Sequence, residues 1–459
     1  MTKPLTLSTT LSALCLAMSI SQPVLASNEQ AVDVAVNNTN TKQVITATAA
    51  TESASAEPKI TEPASSKQAA KVDNNGVEAN KLYFTPVPVI GYNPANGTIY
   101  GVGASASYYF GEPKTTKVSN MIAGLAKTSL GQSIFLFKST AFTANNDWAF
   151  LGDWRYLDTS QPTYGLGTGP DSSKLVTSGQ EFELDDDIFS GTYDKNQMME
   201  FKYFRFYETA LKRIQGDWYV GLGYHLDLYK DIQDNLLDLD AEEKVVTSHY
   251  SYSRLNGFDE TGYTLSGLSL NVMFDSRDNG INPSKGQYAL ASYRYNPEFL
   301  GSDKKSSTLW LEYRKFHNFT PEEKYPDVLA FWAFGNFVTS GEVPYMTLPA
   351  TGYDQYARSG TGYIQGRFRG QDYAYVGLEY RKHFTTLWGV PVGGVAQVNA
   401  STASATGPND ISLGQYIKPG YGLGLRFMLQ KKTGTNLGID FGRGADGASA
   451  LYVRLNENF

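Results

Sequence analysis

From Tyr83 to the end of the chain, large apolar residues alternate with small or polar residues at a period of two. The apolar face of the segment 421–429 consists of Tyr421, Leu423, Leu425, Phe427 and Leu429. Its opposite face carries two glycines and Arg426. This period predicts strands, because successive side chains of a strand point to opposite faces. A second face that repeats glycine, arginine and acidic residues indicates a wet lumen, with lipid against the apolar face.

The composition supports a β-rich protein and excludes other classes. All 31 tyrosines, 24 phenylalanines and 6 tryptophans follow residue 82, whereas disordered chains are poor in aromatic residues. Beyond the first thirty residues, no apolar run approaches the ~18 residues that a spanning helix needs. A net charge of -7 and a pI of about 5.3 argue against a nucleic-acid partner. A soluble β protein or a membrane β-barrel remains.

The sequence divides into three predicted segments. Residues 1–26 are typical of a secretory signal peptide, with basic Lys3, a short apolar core and small Ala26 before the cleavage site. The single cysteine, Cys15, lies in this signal, so the mature chain is predicted to have no disulfide. Residues 27–80 have no aromatic residue and no sustained period, which predicts a disordered periplasmic linker. Residues 81–459 are predicted to form the barrel.

The end of the chain fixes the direction of the strands. Leu451, Val453, Leu455 and Phe459 share one face of the last predicted strand, and outer-membrane barrels commonly end on such an aromatic residue at the periplasmic side. Counting back from Phe459 predicts strands over 83–92, 98–110, 117–127, 132–142, 147–156, 197–209, 216–229, 263–274, 286–296, 305–316, 326–338, 372–384, 390–399, 419–429, 435–442 and 448–459. An even number returns the first strand to the periplasm, and only a closed barrel satisfies backbone groups within lipid. The predicted fold is therefore all-β, a sixteen-stranded antiparallel transmembrane β-barrel in the outer membrane of a Gram-negative bacterium.

Two predicted extracellular loops carry most of the negative charge. Loop 160–196 has seven acidic residues against two lysines, and loop 230–262 has eight against three basic residues. Asp185, Asp186 and Asp187 could bind a divalent cation, but they lack the glycine-punctuated spacing of a calcium loop. A solvated acidic loop is the favoured interpretation, and no metal or cofactor is predicted.

The turn after the eighth predicted strand resembles a known family. Phe274-Asp-Ser-Arg-Asp-Asn279 followed by Pro283-Ser-Lys-Gly286 is similar to a periplasmic turn of the bacterial surface antigen family, the barrels of BamA- and TamA-type outer-membrane assembly proteins. Its chemistry suits a turn, because Asp275 or Asp278 can cap amides, Pro283 fixes φ and Gly286 permits a positive φ. Arg277 completes the motif. Further segments resemble family motifs in the family's order: Gly91-Tyr-Asn-Pro-Ala-Asn-Gly97, Tyr164-Gly-Leu-Gly167, Gly366-Arg-Phe-Arg369, Leu378-Glu-Tyr-Arg381 and Asn456-Glu-Asn-Phe459.

The resemblance also implies an inward loop. In the family, an arginine of the sixth extracellular loop contacts an aspartate of strand thirteen inside the lumen; here that loop is 345–371. In one register the motif falls on Thr361-Gly-Tyr363 and the aspartate position on Gln397, so both charges are absent, and a lone charge would be costly in the lumen. A second register uses Arg367 or Arg369, with Glu379 or Asp372 as partner. The favoured interpretation is an inward loop latched by Arg367 or Arg369 with Glu379, and a solvated loop is the alternative.

The resemblance implies a function in translocation or insertion of polypeptide or lipid, through a lumen or a lateral seam. It implies outer-membrane lipid and lipopolysaccharide as surroundings and the barrel-assembly machinery as a partner during insertion, with a monomer expected. Assembly members carry POTRA domains of roughly 75 residues, for which residues 27–80 are too short, so a branch without POTRA domains is expected. The alternative is a passive or cation-preferring channel or a surface scaffold, because acidic loops attract cations.

An enzyme is not expected. His225 and Asp227 share one face of a strand, where a carboxylate could orient an imidazole for base catalysis. No Ser-His-Asp order, metal-ligand spacing or phosphate loop accompanies them, so the two are interpreted as polar residues that face the lumen.

Overall fold

The computed structural model describes residues 76–459 except 94–95, 174, 177–181, 186, 190–191, 194–196, 243, 407–409, 446 and 458. The predicted signal peptide and nearly all of the predicted linker lie outside the described residues. Within the described ranges, no helix is both long and apolar enough to cross a membrane.

Sixteen strands form one antiparallel sheet in which every strand pairs with its neighbours along the chain. They are β1 Tyr83–Asn93, β2 Gly97–Tyr108, β3 Ser119–Thr128, β4 Ser133–Phe142, β5 Trp148–Thr163, β6 Gln197–Gln215, β7 Trp218–Asp234, β8 Tyr263–Asp275, β9 Gly286–Asn296, β10 Ser306–Asn318, β11 Val328–Gly341, β12 Asp372–Leu387, β13 Val390–Ala403, β14 Lys418–Gln430, β15 Thr435–Gly444 and β16 Ser449–Leu455. The predicted all-β fold and its sixteen strands are confirmed. We call the end of the sheet where β1 begins and β16 finishes the terminal end, and the opposite end the loop end.

Smaller elements lie in the connections. Between β5 and β6, Leu175–Val176 pairs with Thr192–Tyr193 and Phe182–Leu184 pairs with Asp187–Phe189. One α-helix, α1, spans Ser248–Leu255 between β7 and β8. Short 3-10 turns occupy Ala144–Asn146, Pro170–Ser173, Glu298–Leu300 and Tyr345–Thr347.

The alternation of the sequence is realised as two chemically distinct faces. Leu423 is 68% exposed on the outer face of β14, whereas Arg426 of the same strand is buried on the inner face. Leu222, Leu268 and Leu270 are likewise exposed outside. The inner face therefore carries the polar and charged residues, as the pattern predicts for a lumen.

Three predicted boundaries are wrong in an informative way. β5 and β7 run on to Thr163 and Asp234, and the loop after β7 contains α1, which the sequence pattern did not indicate. The last strand ends at Leu455 rather than 459, and Asn456 bends the chain there with a positive φ of 67°. Phe459 is consequently buried against Trp332, at 5.6 Å between ring centres, and is not part of the last strand.

The two edge strands meet by packing. Within the described residues no ladder joins β1 to β16, which are the ends of the strand order. Val87 of β1 instead packs in one buried cluster with Leu437 of β15 and Leu455 of β16. We call this junction the seam.

Candidate functional site: an occupied lumen and an unpaired seam

A long loop between β11 and β12 occupies the inside of the sheet. We call residues 342–371 the inner loop. Most of its residues are buried, among them Tyr345, Leu348 and Phe368 at 1% exposure or less. The loop therefore lies on the inner side of the sheet.

The tip of the inner loop, Thr361–Tyr363, is held by neutral hydrogen bonds. Thr361 Oγ1 donates to Gln397 Oε1 at 3.0 Å, and the carbonyl of Thr361 accepts from Asn399 Nδ2 at 3.0 Å. The hydroxyl of Tyr452 accepts from the amide of Gly362 at 3.0 Å and donates to the carbonyl of Tyr363 at 2.9 Å. A threonine–glutamine pair thus stands where the first register predicted that both charges would be absent.

A square of four glycines makes room for this tip. On the inner wall, Gly420 and Gly422 of β14 face Gly444 and Gly442 of β15. A Cβ at Gly420 would lie 2.3 Å from the carbonyl oxygen of Thr361, and one at Gly442 would lie 2.6 Å from the amide nitrogen of Gly362. Real Cβ atoms do not approach other atoms so closely, so the loop tip fits here because these positions are glycine. We call the four residues the glycine seat.

The favoured latch of Arg367 or Arg369 with Glu379 is corrected by the structure. Arg369 donates to the carbonyl of Tyr345 and, at 2.9 Å, to the hydroxyl of Tyr353. Arg367 donates to the carbonyl of Ser172 at 2.9 Å. These two arginines lie near the start of β12, whereas Glu379 lies seven residues along it, so the strand separates them.

Glu379 belongs to a charge cluster at the terminal end. It accepts from Arg381 at 2.7 Å and lies 3.8 Å from Arg426. Arg426 also contacts Asp440 at 2.5 Å and Glu457 at 2.8 Å. The last of these contacts draws the tail inward after Leu455.

The inner loop and the chain end are tied together at a tight turn. Asp354 accepts from the amides of Arg358 and Ser359, at 3.0 and 2.9 Å. Burial acts to raise the pKa of Asp354, but these amides outweigh it and hold the pKa below its usual value. Arg358 donates to the carbonyl oxygens of Leu455, at 2.7 Å, and Glu457. The loop, the last strand and the tail thus form one connected unit.

The residues of the family turn motif form a capped turn between β8 and β9. Asp275 accepts from the amide and the guanidinium of Arg277, and Asp278 caps the amide of Ser284 at 2.9 Å. Gly286 has φ +101°, where a side chain would be strained. The role of Pro283 in fixing φ remains a prediction; its carbonyl accepts from Arg381 at 3.1 Å.

This turn reaches across the terminal end. Asn279 donates to the carbonyl of Thr433, in the turn between β14 and β15, at 3.0 Å. Lys117, in the connection between β2 and β3, lies 3.3 Å from Asp275. Contacts therefore cross the lumen at this end.

The loop end is covered by α1. Tyr252 of α1 donates to the carbonyl of Val343 at 3.0 Å and accepts from Gln371 at 3.1 Å. His249 is buried, with its ring centre 5.6 Å from that of Tyr345. Burial, and secondarily the charge of Arg369, lowers the pKa of His249 to about 3. The helix therefore rests on the inner loop through a neutral imidazole.

The pair His225 and Asp227 is engaged in wall contacts. His225 Nε2 contacts Ser269 Oγ at 2.9 Å, while Asp227 accepts from Tyr203 at 2.6 Å and from Arg294 at 2.9 Å. Among the described residues, no group of three histidine, cysteine or acidic side chains could hold a metal ion. The acidic run at 185–187 lies partly outside the described residues, and Asp185 contacts Lys244 at 3.1 Å.

The chemistry of the seam was not predicted from the sequence. Pro86 and Pro88 of β1 face Ala104 and Val102 in the ladder with β2. Proline has no N–H to donate, so it suits the positions of an antiparallel ladder at which facing residues exchange no hydrogen bonds. At those positions the backbone nitrogen points away from the partner strand, here towards the free edge of β1. The edge of β1 that would face β16 therefore lacks two donors. The signal was visible as proline at alternate positions of a strand.

An antiparallel sheet of sixteen strands, apolar outside, polar inside and filled by its own loop, defines an outer-membrane type of β-barrel. Residues 202–430 match the model of the Omp85 superfamily domain. The chain therefore carries an Omp85 superfamily domain, and the resemblance drawn from its motifs is confirmed. A search of curated proteins gave no match.

Solved structures that are similar to this chain include BamA of Haemophilus ducreyi lacking POTRA domains 1–3, at 15% identity and a TM-score of 0.46, with 82% of this chain and 69% of that chain covered. CdiB of Acinetobacter baumannii is 12% identical, with a TM-score of 0.44 and coverage of 82% and 58%. CdiB of Escherichia coli is 9% identical, with a TM-score of 0.47 and coverage of 82% and 61%. The chain thus spans about three fifths of the length of the CdiB chains.

Proposed function

We propose that this protein resides in the outer membrane of a Gram-negative bacterium and inserts or translocates polypeptide or lipid at the seam between β1 and β16. The superfamily match supports this proposal, because Omp85 barrels act in protein insertion or secretion. Outer-membrane lipid and lipopolysaccharide would surround the barrel, and the barrel-assembly machinery would insert it. We expect a monomer, with residues 27–80 as a periplasmic linker.

The observation that carries the proposal is the unpaired seam. A ladder between β1 and β16 is lacking in the described part of the chain, and Pro86 and Pro88 remove two donors from the edge of β1. The edge of β16 therefore keeps backbone groups that an incoming strand could pair with. Separating the edges requires loss of side-chain packing around Val87, not of a full ladder.

The test restores the missing donors. In the double variant Pro86→Val and Pro88→Val, two new hydrogen bonds could join the edges, each worth about 0.5–1.5 kcal/mol. Two such bonds would lower the open fraction of the seam about 5- to 150-fold. The assay measures how fast a urea-unfolded eight-stranded barrel folds into vesicles that contain the purified full chain.

We expect the unaltered protein to accelerate this folding over empty vesicles and the double variant to lose most of the acceleration. Pro391→Val, in β13 away from the seam, is the matched control and should retain it. Equal acceleration by the double variant would contradict the role of the seam. No acceleration by the unaltered protein would contradict polypeptide insertion.

A passive channel is less well supported. The inner loop lies inside the sheet and α1 packs on that loop, so both narrow the route that ions would take through the lumen. The acidic loops would still favour cations near the loop end. Planar-bilayer recordings separate the two functions: steady cation-selective conductance would favour the channel, and a closed trace favours the seam.

A further inference from the structure

Glu208 is a carboxylate on the outer face of the sheet. Its neighbours along β6, Tyr207 and Thr209, line the cavity inside the lumen, so the side chain of Glu208 points to the opposite, outer face. It is half-buried there, and the next residues on the same face are Phe206 and Ala210. An acidic residue therefore interrupts an apolar stretch of the outer wall.

Two lysines mark how deep this carboxylate lies. Lys202 and Lys212 are exposed on the same face of β6, with Lys202 towards the loop end and Lys212 towards the terminal end. The strand between them spans about 33 Å, or about 25 Å along the membrane normal at the usual tilt, which is the height of the apolar band of such barrels. Glu208 therefore lies within the hydrocarbon band of the outer membrane, the location that the proposed function gives to the barrel.

The carboxylate has one partner in the wall. Trp154 of β5 donates from Nε1 to Glu208 Oε1 at 2.8 Å, and within the described residues no other hydrogen bond or ion pair reaches this carboxylate. Across the ladder Glu208 faces Gly152. A Cβ at Gly152 would lie 2.6 Å from Ser139 Oγ and 3.0 Å from Glu208 Oε1, so the glycine leaves room for a small polar notch. The second oxygen of Glu208 remains an acceptor without a hydrogen bond.

Such a group is costly where it stands. Ionisable residues within a membrane are rare and mark functional sites, because hydrocarbon solvates neither a charge nor an open acceptor. The wall around the notch is apolar and open to lipid, since Phe150, Phe204 and Leu222 are exposed. Leucine would suit the position of Glu208 better than glutamate does, so the glutamate indicates a partner.

We propose that Glu208 and Trp154 form a docking site for a membrane-spanning segment of another protein, which presents an N–H donor to the open oxygen of Glu208. Lipid does not satisfy this site, because its hydrocarbon chains carry no donor at this depth. A second copy related by a two-fold axis would bring two carboxylates together, which repel each other. The small residues Gly152 and Ser139 would let the partner's backbone approach closely, as in other contacts between membrane segments.

The site is separate from the seam. β6 lies inside the strand order, away from the edge strands β1 and β16. The inference therefore rests on the proposed location in the outer membrane but not on the proposed role of the seam.

The experiment measures energy transfer in lipid vesicles between the full chain and a synthetic membrane-spanning peptide. The donor dye is attached at Lys212→Cys, and the acceptor dye is on a leucine-rich helix of about 20 residues. One peptide has asparagine at its centre, a second has lysine there, and the all-leucine helix is the reference. We expect the two polar peptides to associate about 3- to 30-fold more tightly than the reference, as polar contacts between membrane segments do. A larger gain for lysine would identify the partner's donor as cationic.

Variants of Glu208 assign the association to the notch. Glu208→Leu should fold, because leucine suits a lipid-facing position, and should lower the association of both polar peptides to that of the reference. Glu208→Gln keeps an acceptor and should retain the asparagine peptide. Glu200→Leu is the matched control, since Glu200 lies on the same face of β6 but is exposed near the loop end, where it accepts from Asn235 at 2.8 Å.

Three results would overturn the proposal. The first is equal transfer to the polar and all-leucine peptides in the unaltered protein. The second is an unchanged preference in Glu208→Leu, which would place the contact elsewhere on the wall. The third is transfer between two labelled copies of the chain that Glu208→Leu abolishes, which would assign the face to a dimer. The readout does not involve client folding, so a failure here is distinct from a failure of the seam.

Discussion

Gly362 at the tip of the inner loop offers the sharpest perturbation of the occupied lumen. Its φ is +99°, and a Cβ there would lie 2.4 Å from the carbonyl carbon and 2.5 Å from the carbonyl oxygen of Arg443. Both are backbone atoms of β15, so no rotation of a side chain relieves the contact. Gly362→Ala must therefore push the tip away from the glycine seat.

The cost follows from the hydrogen bonds that hold the tip. Thr361, Gly362 and Tyr363 make six with the wall, and each contributes about 1 kcal/mol. Displacement by about an ångström would break two to four of them, so docking should weaken by about 2–4 kcal/mol. The undocked fraction should rise about 30- to 1,000-fold.

Trypsin reports the undocked fraction, because Arg367 and Arg369 are buried while the loop is docked. Cleavage after these residues, followed by mass spectrometry, should accelerate with that fraction. Gly447→Ala is the matched control: Gly447 has φ +76° with nothing within 4 Å of its Cβ, so it tests backbone strain without the clash. Equal cleavage rates in Gly362→Ala and the unaltered protein would refute the account of the seat.

Three further predictions concern other parts of the molecule. Arg426→Met would leave Asp440 and Glu457 buried without their main cation, and urea unfolding in detergent should show a loss of about 3–5 kcal/mol. Trp388 is 99% exposed and has a φ of +47° in a two-residue turn. Trp388→Asn should raise the free energy of unfolding by about 1 kcal/mol, because Asn tolerates this conformation. An unchanged midpoint of urea unfolding would count against strain at this position. His249 is buried in its neutral form, because burial and the charge of Arg369 lower its pKa to about 3. When α1 undocks, the imidazole regains its ordinary pKa of about 6.5 and takes up a proton below that pH. Docking of α1 should therefore weaken as the pH falls from about 6.5 towards 3, by up to about 1.4 kcal/mol per pH unit. Protease cleavage in loop 235–262 should follow that pH course and lose it in His249→Phe.

The sheet was predictable because each strand carries its own evidence. Alternation fixes the two faces, and turn residues such as Asp278 and Gly286 fix where strands restart, so both are local properties of the sequence. The predicted ends of strands were wrong where contacts between residues distant in sequence decide them. β16 stops at Leu455 because Glu457 is captured by Arg426 from another strand, and no local pattern records that contact.

The inner loop was predictable in place but not in chemistry. Its position follows from the strand count, and one of two registers put Thr361 against Gln397, where the structure has them in contact. The favoured ion pair with Glu379 failed, because the sequence did not reveal that Arg381 and Arg426 already neutralise that carboxylate. The sequence shows the glycines of the seat at alternate positions. Their role in receiving the loop tip could not be predicted, because it depends on which strands are neighbours in the sheet.

Two disulfide locks, placed in a mature chain that is predicted to have no cysteine, test the central claim most directly. Val87→Cys with Leu455→Cys closes the seam, whereas Thr361→Cys with Gln397→Cys fixes the loop tip without adding an atom to the glycine seat, since these two side chains are in contact at 3.0 Å. We expect the seam lock to abolish folding of the unfolded client into vesicles until reductant is added, and the loop lock to leave the rate unchanged. Activity that survives the seam lock and stops with the loop lock would contradict this expectation and place the route through the lumen.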